Sequence, residues 1–154
     1  MTATITAAAG FLIAVLWFDL MFDVQVARRR APDEVPGEQL DSIAAYYRRV
    51  TTTASPMGRL VILTMLVLLV ALATQAARSD APVWVSAVSL AAAALGIGLG
   101  ALRTFGAAQR LGRRRDPPDE QYRTARSILR DHLVCLAAMV TLLATQLGGA
   151  LCRL

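Results

Sequence analysis

The sequence predicts an all-α protein: a four-transmembrane-helix bundle with a short amphipathic interfacial helix in the first cytoplasmic loop. Three observations predict it. Of the 154 residues, 56% are apolar and the mean hydropathy is +0.51, above the roughly 45–50% apolar content of a water-soluble domain. The excess is gathered into four long blocks, with the charged residues confined between them. Each block reaches the about 20 residues that a helix needs to cross a bilayer, and in hydrocarbon an isolated chain segment satisfies its own backbone only as a helix. The length fits one integral membrane domain over 1–154, with helices at about 3–27, 56–78, 82–110 and 117–153, the last crossing the membrane over 133–151.

The first block is apolar except for Asp19 and Asp23 and is stopped by Arg28-Arg29-Arg30. A signal peptide carries its positive charge before the apolar run. Here the charge follows it, so the segment reads as a retained helix with its N-terminus outside. The second block opens on Ser55-Pro56, a helix-start pair of cap and first-turn proline. The third starts at Pro82 after the turn Arg78-Ser79-Asp80-Ala81, and Val83 to Leu102 carries no charge. The fourth is prepared by Asp116 as N-cap, two prolines and the acids Asp119 and Glu120 at the positive end of the helix dipole. Tyr122, Ala125, Leu129, His132, Leu133 and Leu136 then hold helical phase, so one helix is expected to run from near Pro117 into the membrane.

Orientation follows from the basic residues, all sixteen of which are Arg. Fourteen lie in or beside the two long loops; only Arg78 and Arg153 lie on the other side. Cytoplasmic loops carry the positive excess, which places both loops in the cytoplasm and both termini outside. The expected location is the plasma membrane of a bacterium, since exclusive Arg usage reads as a GC-rich coding genome; the alternative is a need for planar guanidinium groups at lipid phosphates. The net charge of +5 lies beside apolar spans, so the lipid bilayer is the expected partner and nucleic acid is not. Within the first loop, Leu40, Ile43, Ala44, Tyr47 and Val50 form one apolar helical stripe, to lie on the membrane surface or pack under the bundle. The two loops share an Arg-run, Pro, acid pattern, which either a duplicated hairpin or the same physics arising twice would produce.

The residues that could carry chemistry are few. Asp19 and Asp23 share a helix face and lie about 13 and 7 Å from Arg28 along the helix. A carboxylate there is costly unless it faces the bundle interior, a partner or water. The pair serves as a proton or cation site, as a general acid/base pair with one raised pKa, or as part of a structural ion pair. Gly96, Gly100 and Arg103 form a small-residue stripe ending in a cation; if the first helix packs on it, Arg103 meets Asp19 or Asp23, with Arg59 as second candidate. His132, the only histidine, sits beside Asp131 and Arg130. Asp19 and His132 are the candidate catalytic residues, and Asp23, Arg59, Arg103 and Arg130 the candidate substrate-binding ones. Tyr46, Tyr47, Tyr122 and Trp17 read as packing or interfacial aromatics and Trp84 as an outer anchor. Cys135 and Cys152, about 25 Å apart along one helix, cannot bridge within a chain. No metal-binding spacing, nucleotide loop or nucleophile motif appears, and nothing names a cofactor.

The segment Ile43-Ala44-Ala45-Tyr46-Tyr47-Arg48-Arg49 followed by Ser55-Pro56, and the lead-in from Arg126 to His132 opening the last span, resemble the anthrone-oxygenase-like family of small four-helix membrane proteins. Arg103-Thr104-Phe105-Gly106 stands where that family has an Asn/Pro-containing motif, and Val134-Cys135 where it has an Arg. The resemblance implies an enzyme acting on a hydrophobic, aromatic or quinone-like substrate at the inner leaflet. The alternatives are a non-enzymatic oligomeric transporter using Asp19, or an accessory subunit of a larger membrane complex.

Overall fold

A computed structural model describes residues 1–27, 37–53 and 55–152, apart from the Ser55 side chain. The Arg28–Arg30 run with the rest of the first copy of the repeated loop pattern, the Ser55 cap and Arg153 lie outside the described residues. Every described element is helical: α1 (Thr2–Asp23), prolonged by a 3-10 turn (Val24–Val26), α2 (Gly37–Arg48), a π turn (Arg49–Thr53), α3 (Ser55–Ala77), α4 (Val83–Leu99), a π turn (Gly100–Thr104), α5 (Phe105–Arg113) and α6 (Pro118–Leu151). Four continuous stretches are long and apolar enough to cross a membrane: Thr2–Val26, Pro56–Ala77, Val83–Arg113 and Pro118–Leu151.

The four spans close into a ring in which each packs on its chain neighbour and α6 packs back on α1. Small residues and aliphatics alternate at the seams. Ile5, Ala9 and Leu12 of α1 meet Leu68 and Leu72 of α3, Ala93 of α4 and Met139 and Leu142 of α6. The outward faces remain apolar: Ile62, Leu63, Leu66, Val70, Leu95, Leu102 and Leu147 are exposed. In water such a surface would drive association; in a lipid bilayer it is the resting state, and packing and interhelical hydrogen bonds hold the bundle instead. One such set spans three helices. Gln75 and Gln146 exchange amide bonds at 3.1 and 2.9 Å, and Gln146 also donates to Ser89 at 2.9 Å, all three being buried.

The small-residue stripe packs elsewhere than on the first helix. Gly96 lies against α6, where an added Cβ would stand 2.7 Å from Met139 and 3.5 Å from Ala138. The ring makes α6, not α1, the neighbour of α4, so the Arg that ends the stripe is carried toward α6. The start of α6 also differs. Pro117 occupies the cap position without a side-chain cap bond, because the Asp116 carboxylate is held by the Arg110 guanidinium at 2.7 Å.

α2 is tucked under one end of the ring, which we call the Arg-rich end. Its stripe of Leu40, Ile43, Ala44 and Tyr47 is buried among Leu20, Val26, Leu111, Tyr122, Ala125 and Ile128. α5 approaches it backbone to backbone at Gly112, where a Cβ would stand 2.8 Å from the Arg48 amide nitrogen. An ion pair between Arg114 and Asp41 adds to this seam. The docking of α2 is what delivers its two tyrosines to the interior.

Candidate functional site

α1 presents Asp19 and Asp23 one turn apart on the face that meets α6 and α2. Asp23 has no exposure, and its carboxylate is fully engaged. The Tyr47 hydroxyl donates to its Oδ1 at 2.6 Å, and His132 Nδ1 lies 2.6 Å from its Oδ2. An ionised carboxylate has only acceptors to offer, so beside one, Nδ1 is the nitrogen that carries a proton, and the contact fixes the ring. The other ring nitrogen, Nε2, faces the Asp19 Oδ2 across 3.9 Å, beyond direct hydrogen bonding. Asp19 accepts from the Tyr46 hydroxyl at 2.6 Å, and the Tyr46 ring is stacked on Phe22, centroids 4.0 Å apart. The result is an alternating chain: Tyr47, Asp23, His132, Asp19, Tyr46.

The two halves differ in access. Asp23 and Tyr47 are buried, whereas the Asp19 side chain keeps 16% exposure and Tyr46 is half-buried. On the same turns of α1, Trp17, Phe18 and Met21 point outward. The Nε2 edge of His132 thus faces the more exposed half of the chain, while the Nδ1 edge anchors the ring.

Burial first, and then the adjacent carboxylates, push the phenols of both Tyr46 and Tyr47 well above their ordinary value. A phenol whose folded value is raised contributes stability that is whole below about pH 10 and is lost as pH rises through the folded value. An alkaline titration should therefore show phenolate absorbance from these two residues only together with loss of helical signal. That late step should be missing from Y46F/Y47F. A difference between the two proteins that titrates smoothly near pH ~10 would mean the phenols are not held.

The expected arginine partners stand apart from this chain. Arg103 pairs with Asp131 at 3.2 Å and donates to Ser127 at 2.9 Å; it does not meet Asp19 or Asp23, because α4 faces α6. Asp131 is buried and lies 3.5 Å from the Thr104 hydroxyl in the π turn. Arg59 and Arg130 are exposed, and neither pairs with Asp19, Asp23 or His132. Of the six candidates, the structure brings together Asp19, Asp23 and His132. Cys135 is buried, its thiol 3.3 Å from the Gly96 carbonyl, and Cys152 is exposed. No group of three or more His, Cys, Asp or Glu among the described residues is arranged to hold a metal ion.

From sequence Tyr46 and Tyr47 read as packing or interfacial aromatics; the structure sets their hydroxyls on the two carboxylates of α1. Tyr47 carried a signal, since it lies on the buried stripe of α2 and a buried hydroxyl needs a partner.

The fold and site together define a polytopic helical membrane protein with an interior carboxylate–imidazole–carboxylate chain. No family model matches this chain, and no characterised protein or solved structure is significantly similar to it.

Proposed function

We propose that this protein is an acid–base centre in the membrane, acting on a hydrophobic, aromatic or quinone-like molecule that reaches it from the inner leaflet. The observation that carries the reading is the asymmetric seating of His132: Nδ1 locked by Asp23 at 2.6 Å, Nε2 facing Asp19 across 3.9 Å. A ring held at one nitrogen by a buried carboxylate exchanges protons at the other. Asp23 then orients His132 and steadies its charged form, Tyr47 orients Asp23, and Asp19 with Tyr46 forms the polar edge that meets the substrate hydroxyl. The resemblance to the anthrone-oxygenase-like family supports the same substrate class. An oligomeric transporter would use Asp19 between chains; its bonds to Tyr46 and its placement against His132 favour a site within one chain.

The test uses full-length protein in mild detergent and a hydroxynaphthoquinone, whose colour changes on ionisation. Wild type should bind it and shift its spectrum, and D19N and H132Q should bind at least roughly tenfold more weakly, or without the shift. Organic extraction of freshly purified protein should recover an aromatic molecule from wild type and less from D19N. Equal binding by all three proteins, or no binding by wild type, overturns the reading.

The orientation we propose, Arg-rich loops in the cytoplasm and termini outside, rests on the positive-inside rule. In a C152S background, which removes the exposed native thiol, and in right-side-out vesicles, an impermeant thiol reagent should label S79C and spare Q39C; the reverse pattern would invert the topology.

A further inference from the structure

Six arginines at the Arg-rich end sort into two sets. Arg103, Arg110 and Arg114 each face a carboxylate: Asp131, Asp116 with Glu120, and Asp41. Arg48, Arg113 and Arg115 are exposed and have no ion pair among the described residues. All three of the second set line one depression of about 340 Å³, together with Thr51, Thr52 and Gln109. No acid lines it. Its floor is backbone, because Gly112 lets α5 lie directly on Arg48. The Thr51 and Thr52 hydroxyls are spent on the carbonyls of Tyr47 and Arg48, so the groups left to recognise a ligand are three guanidiniums and the Gln109 amide. That donor set, uncompensated by negative charge, suits the oxygens of a phosphate.

We infer that this depression, independently of the acid–base reading, binds the phosphate headgroup of an anionic phospholipid. Position decides for a lipid over a free ion. Thr51 and Thr52 lie in the π turn (Arg49–Thr53) that precedes α3 in the chain, and Met57 and Leu60 of α3 already present exposed apolar faces. Thr52 and Met57 are only five residues apart in the chain, so the depression opens close to the apolar start of α3, beside the hydrocarbon. A diacyl chain seated there would run along α3.

The experiment is native mass spectrometry of the full chain, delipidated in mild detergent and offered an equimolar mixture of phosphatidylglycerol and phosphatidylcholine. Wild type should retain phosphatidylglycerol in preference to phosphatidylcholine. R48Q/R113Q/R115Q should lose that preference, with affinity falling by roughly 100-fold given the size of one Arg–headgroup attraction. R49Q/R78Q/R123Q has the same net charge and should stay near wild type. All six positions are exposed, and size-exclusion profiles establish that both variants are folded. Equal retention of the two lipids by wild type overturns the inference without recourse to any variant. So does an equal loss in both triple variants, which would mean diffuse charge attraction. In a third arm inorganic phosphate alone is added; if it displaces phosphatidylglycerol at millimolar concentration, the site takes free phosphate and the lipid assignment fails.

Discussion

Asp23→Ala is expected to destabilise the folded protein by roughly 3–5 kcal/mol, the cost typical of removing one partner from a buried charged pair. Asp23 has no exposure and serves two donors, the Tyr47 hydroxyl and the His132 ring, each at 2.6 Å. Its removal leaves both polar groups unpaired in the interior, and that desolvation cost, rather than the lost attraction, dominates. In a chain of this size the loss corresponds to a fall of roughly 10 °C in melting temperature, read from the helical circular dichroism signal in detergent. Removing the stranded partners as well, in D23A/H132A/Y47F, should recover part of the loss, because no polar group is then left waiting. An alanine variant melting within a degree or two of wild type would show that water reaches Asp23 and that the network is not closed. The same result would remove the basis for a fixed His132 tautomer.

Gly112→Ala should be the most damaging single methyl group that can be added to the chain's glycines. The new Cβ would meet the Arg48 amide nitrogen at 2.8 Å, its Cα at 3.0 Å and the Tyr47 carbonyl carbon at 3.2 Å. These are backbone atoms of α2 and cannot turn aside, unlike the flexible Met139 tip that faces Gly96. Either α2 moves or the seam stays strained, at roughly 1–3 kcal/mol or more. Since α2 carries Tyr46 and Tyr47, a shift also stretches the bonds to Asp19 and Asp23. G112A should therefore lose stability and, in addition, let the two phenols titrate early. G106A is the control. It lies in the same helix with nothing within 4 Å of its Cβ, so alanine there should be neutral or stabilise by roughly 0.5–1 kcal/mol. Similar behaviour of the two variants would mean that the close approach of α5 to α2 does not hold in the folded protein.

The sequence by itself determined the fold class. Apolar runs of membrane length leave the chain no alternative to helices, and that constraint is local: each span satisfies its own backbone whatever its neighbours do. The amphipathic stripe of α2 and the two carboxylates on one face of α1 were legible for the same reason, since both depend only on helical periodicity. Tertiary structure alone decided which faces meet. The stripe ending in Arg103 offers a seat to any helix, the first among them, and it packs on α6 at Gly96, because any apolar seam is nearly as good as another when lipid competes equally for all of them. The partners of Asp19 and Asp23 followed from that choice. They are separated from Tyr46, Tyr47 and His132 by 27, 24 and 109 residues of chain, and no periodicity reaches across such distances. A buried carboxylate announces that it must have a partner. The packing of α6 on α1 made one partner a histidine, and the docking of α2 under the ring, permitted by a glycine at the point of contact, made the others two tyrosines, rather than an arginine.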